Sequence, residues 1–68
     1  MSTTTQLSRG DLHRTFLAME LHGGGFCAAL ANAWYKADPG NKARIEAAFP
    51  HYLEDFGPDS RFFYLQNN

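Results

Sequence analysis

The 68-residue chain carries a net charge of -1 from six basic and seven acidic side chains, so it lacks the basic face that phosphate neutralisation demands of most nucleic-acid binders. Its single cysteine, Cys27, excludes an intrachain disulfide, and no apolar run approaches the roughly 18 residues of a membrane span. A domain this short buries only about 60% of its unfolded surface, and the 15% aromatic content exceeds what one small core hides, so homodimerisation is the expected remedy.

From the N-terminus, residues 1–7 read as a tail, 8–57 as a helical domain and 58–68 as an aromatic C-terminal segment. The Ser/Thr-rich start lacks the charged and apolar regions of a secretion signal, which makes the cytoplasm the expected location. Ser8 stands three residues before Asp11, an approximation to a capping box, and places a helix start there. Leu12, Phe16 and Met19, with Leu17 and Leu21 alongside, then form an apolar stripe up to His22, leaving Arg14 and Glu20 for water. Gly23, Gly24 and Gly25 end that helix, because glycine enters the left-handed conformation of a helix C-terminus without steric cost.

A second helix follows, with Phe26, Ala29, Leu30, Ala33, Trp34 and Ala37 predicted on its inner face. Asp38 before Pro39 marks the next boundary: the carboxylate caps an orphan amide, and proline at the first helical position has no amide to leave unpaired. Helix three is predicted with Ile45, Ala48 and Phe49 inward and Lys42, Arg44 and Glu46 outward. Pro50 interrupts it, and Tyr52, Leu53 and Phe56 carry the spacing into a short fourth helix that Gly57 and Pro58 stop. Residues 61–65 read as an aromatic, strand-like or extended segment ahead of a polar end. The expected fold is all-α, with three to four short helices in a compact hairpin or bundle.

Few residues suggest chemistry. The triple glycine at a helix N-terminus has the backbone for a phosphate cradle, but no strand precedes it and no Lys-Ser/Thr follows. Cys27 in an alanine-rich helix reads as a small buried hydrophobe, and with His13, His22 and His51 it lacks the close ligand pairs of structural zinc. Glu54, Asp55 and Asp59 form an acidic cluster whose adjacent members point in different directions, which suits a solvated face or a basic partner more than an acid–base pair. The helix after the glycine turn carries Asn32 and Lys36 but no row of base-reading side chains, which argues against a helix-turn-helix. No enzyme activity, cofactor or metal is expected.

The stretch Ala37-Asp38-Pro39-Gly40-Asn41-Lys42-Ala43-Arg44-Ile45-Glu46-Ala47-Ala48-Phe49-Pro50 resembles a pattern in short helical proteins encoded by phages, prophages and plasmids, and the resemblance runs from about His22 to Gly57. It implies a helical fold and, by similarity to characterised small phage proteins such as quorum-sensing anti-activators, a protein that binds and inhibits a host regulator or defence component. It carries over no binding residue. Tyr35, Phe62, Phe63 and Tyr64, which lie off the main stripes or on the terminal segment, are the expected protein contacts, because aromatics dominate binding hot spots. A nucleotide or phosphate sponge and a small DNA-binding regulator are the alternative readings.

Overall fold

The computed structural model describes residues 7–65. Most of the expected N-terminal tail and the Gln66–Asn68 end lie outside the described residues. Among the described residues the fold is all-α, with five helices in order: α1 (Arg9–His22), α2 (Gly24–Lys36), α3 (Pro39–Ala48), α4 (Pro50–Asp55) and α5 (Arg61–Leu65). They form a slab of 30 × 29 × 18 Å. In it α1 packs along α2 and receives α4 and α5, while α3 bridges α2 and α4.

The helix starts follow local chemistry. Ser8 Oγ accepts from the Asp11 amide at 3.1 Å and Asp38 Oδ1 from the Asn41 amide at 2.8 Å, each satisfying a donor that the first turn leaves orphaned. Pro39 and Pro50 each occupy a first helical turn, and Phe49, at φ -132° and ψ 57°, is the joint between α3 and α4. A single residue joins α1 to α2. Gly23 donates to the Met19 carbonyl at 2.9 Å, and Gly24, at φ +84°, carries the left-handed step while already belonging to α2. A Cβ on Gly23 would lie 2.6 Å from Cys27 Cβ and 2.7 Å from the Met19 carbonyl oxygen, so glycine here permits close approach of the two helices.

Phe16, Ala18 and Met19 of α1, Cys27, Ala31 and Trp34 of α2, and Phe56 make the core. Phe16 and Trp34 stack with ring centroids 4.4 Å apart and planes 9° apart. Thr15 is fully buried among them, its hydroxyl donating to the Asp11 carbonyl at 2.7 Å, which removes the cost of an unpaired polar group.

Several expectations need correction. Ala48, expected inward on α3, is exposed, and Glu20, expected in water, is half-buried and accepts from the Tyr35 hydroxyl. The inner face of α2 is Cys27, Ala31 and Trp34, rotated from the predicted one, and Phe26 is 57% exposed. Leu21 at the end of α1 is likewise exposed. Glu46 does not face water alone: it is half-buried and accepts from Trp34 Nε1 at 2.8 Å, pinning α3 to α2. Finally, 61–65 is helical. The Ser60 hydroxyl accepts from the Phe62 amide at 3.1 Å, and Phe63 sinks into the protein while α5 packs on α1, so a cap and tertiary contacts override the strand preference of an aromatic run.

Candidate protein-binding groove

Two concavities flank α3. The larger, about 970 Å³, runs between α1, α3, α4 and the turn at residues 57–59. Its apolar lining comes from Leu7, Leu12, Ala43, Ala47, Pro50, Leu53 and Pro58. The walls follow from helix geometry: Ala43 and Ala47 are one turn apart on α3, and their small side chains leave room that Leu12 and Leu53, half-buried against the core, do not fill. Gly57 also lines the groove. It is buried, and a Cβ there would collide with the Leu53 carbonyl oxygen.

Three carboxylates, Glu46, Glu54 and Asp59, also line this groove, and no Lys, Arg or His does so among the described residues. The acidic cluster read from the sequence is therefore divided. Glu54 and Asp59 edge the groove, whereas the Asp55 charge acts on Cys27. Burial pushes the Cys27 thiol above its ordinary value; the Tyr52 hydroxyl bonds it and pulls the other way, and the Asp55 carboxylate adds to the rise.

The smaller concavity, about 370 Å³, is lined by His13, Leu17, Glu20, Trp34, Tyr35 and Lys42. Here the side chains answer one another. Tyr35 donates to Glu20 Oε1 at 3.1 Å, and the Lys42 ammonium lies 4.5 Å from the Trp34 ring centroid. Burial, the bond to Glu20 and its charge push the Tyr35 hydroxyl up to about 12. This network ties α1, α2 and α3 together.

The three histidines lie against three different rings: His13 on Tyr35 at 5.5 Å, His22 on Phe62 at 5.3 Å and His51 on Tyr52 at 4.1 Å. Among the described residues, no three His, Cys, Asp or Glu side chains gather closely enough to hold a metal ion. The triple glycine has one amide, that of Gly23, committed to Met19. Among the described residues, no helix is long and apolar enough to cross a membrane.

The four aromatic residues expected as contacts separate. Phe63 is 3% exposed and belongs to the interior, with Arg14 over its ring at 5.7 Å. Phe62 is half-buried against His22 and Phe56, and Tyr35 is half-buried with its hydroxyl engaged. Tyr64 is exposed. Sequence reasoning missed the exposure of Phe26, whose ring meets Phe49 at 5.8 Å and Tyr52 at 6.0 Å. It also missed the groove, whose apolar wall comes from segments far apart in the chain.

No protein-family model matches the chain, and no solved structure does. The chain is similar to part of the phosphoribosylformylglycinamidine synthase subunit PurL of Bartonella henselae, 37% identical over 62 residues. That match takes in 88% of this chain and 8% of the subunit, so the chain spans less than a tenth of the relative's length.

Proposed function

We propose that this chain is a non-catalytic protein-binding module whose working surface is the groove between α1, α3 and α4. The observation that carries the reading is the groove itself: an apolar concavity of about 970 Å³ edged by carboxylates, the chemistry that receives an apolar segment of another protein. In the setting implied by the resemblance to short phage, prophage and plasmid proteins, the partner is a host regulator or defence component, and occupancy blocks its function. Self-association belongs to the Phe26, Phe49 and Tyr52 cluster, since Phe26 is over half exposed and burying about 800 Å² per copy would cover roughly a fifth of the 4261 Å² surface.

A double variant, Ala43→Gln with Ala47→Gln, tests the binding reading. Both alanines are exposed and glutamine is a good helix former, so the fold stays while polar side chains cover the groove wall. A host protein captured by wild type and lost by the variant supports the groove; equal capture by both moves the binding surface elsewhere. The likeness to a stretch of the Bartonella subunit favours a second reading, in which the chain supplies to a larger enzyme what that stretch supplies within the subunit. Co-elution with a purified synthase subunit tests it.

A further inference from the structure

We infer that the occupant of the groove is a cationic amphipathic helix of a partner protein, an inference that rests on the groove being the binding surface. The argument is charge and shape together. Every ionisable side chain that lines the groove among the described residues is a carboxylate, Glu46, Glu54 and Asp59, although the chain as a whole is nearly neutral at -1. The sign at this surface is therefore local. An anionic segment would bring its charge against all three, whereas Lys or Arg flanking an apolar stripe would meet them across the groove edge.

The apolar wall sets the rest of the chemistry. Leu53 and Leu12 offer branched aliphatic surface, and Ala43 and Ala47 leave the gap between them. A helix is about 10–12 Å across and rises 1.5 Å per residue, so two turns occupy on the order of 900 Å³. That is close to the groove's own volume of about 970 Å³. Apolar anchors at i, i+3 or i+4, and i+7 span those two turns, with cations left for the edges. Glu46 differs from the other two carboxylates in being held by Trp34 Nε1, so its charge sits at a fixed place between α3 and α2.

The test uses two labelled 16-residue helical peptides of identical leucine pattern, one with lysine and arginine and one with glutamate at the remaining positions. Fluorescence anisotropy is followed with wild type, with the Ala43→Gln, Ala47→Gln variant and with a Glu54→Lys, Asp59→Lys variant, all checked for helicity by circular dichroism. The cationic peptide is expected to bind wild type saturably, to lose binding to the glutamine variant, and to weaken by about tenfold with the lysine variant, in line with two exposed charge pairs reversed. With the lysine variant the anionic peptide is expected to change in the opposite sense, and raising the salt is expected to narrow both charge-dependent differences. Equal binding of both peptides, abolished by the glutamine variant, overturns the cationic assignment and leaves the groove as a protein site. Binding of neither peptide, or binding that the glutamine variant leaves intact, overturns the groove reading with it.

Discussion

Three adjacent identical residues in this fold answer to three different constraints, and alanine at each separates them. At Gly23 the added methyl would sit 2.6 Å from Cys27 Cβ and 2.7 Å from the Met19 carbonyl oxygen, neither of them the movable end of a long side chain. Relieving that overlap means separating α1 from α2, and overpacking of this kind costs about 1–3 kcal/mol. At Gly24 the space is open but φ is +84°, so alanine costs about 1–2 kcal/mol through left-handed backbone alone. At Gly25 the space is open and the backbone is helical, so alanine should stabilise by about 0.5–1 kcal/mol. For a domain of this size each kcal/mol moves the midpoint by about 4–8 °C. Thermal melts followed at 222 nm should therefore show two variants falling and Gly25→Ala rising. A uniform shift across the three, or a Gly23→Ala protein as stable as wild type, would refute the account of the α1–α2 turn.

Other consequences are as direct. Because the folded protein raises Tyr35 to about 12 from an ordinary 10, it holds that proton more tightly than the unfolded chain does; the associated stability is complete below pH 10 and is lost as pH rises towards 12. Ultraviolet titration should show Tyr35 ionising late, and Glu20→Gln should bring it earlier. Asp38→Ala removes the cap on α3 and should cost about 1 kcal/mol in urea melts, whereas Asp38→Asn should cost little. Cys27, buried and held protonated, should react with a thiol reagent in native buffer at the rate of local opening, so Gly23→Ala should speed the labelling; a fast reaction in wild type would contradict the burial.

What was legible in the sequence was mostly what neighbouring residues decide. Ser8 and Asp38 cap the helices they were read as capping, and Pro50 divides α3 from α4, because a side-chain oxygen and its target amide lie within three residues, and proline's missing donor acts on the turn it sits in. Facing was less legible. In α2 the alanines at 28, 29, 31 and 33 give nearly every face a small apolar lining, so Phe26 fixed the predicted stripe, and the structure turns that ring outward because Cys27, Ala31 and Trp34 meet Phe16 and Met19 more closely. Residues 61–65 became helical through Ser60 and through α1, the second of which lies some forty residues away in the chain. The groove had one local sign, the pair Glu54 and Asp59, while its apolar wall is assembled from positions whose proximity no periodicity encodes.

The chain contains one tryptophan, and the fold has wired it. Trp34 stacks on Phe16, carries an ammonium above its ring and donates its indole N–H to a carboxylate that also lines the groove. Indole emission responds to charge placed along the ring, so a cation that draws on Glu46 alters the light that Trp34 gives back. The protein thus holds an intrinsic optical gauge of its own surface: with no dye attached, emission wavelength against added partner becomes a binding curve, and Glu46→Gln silences the gauge while leaving the ring in place.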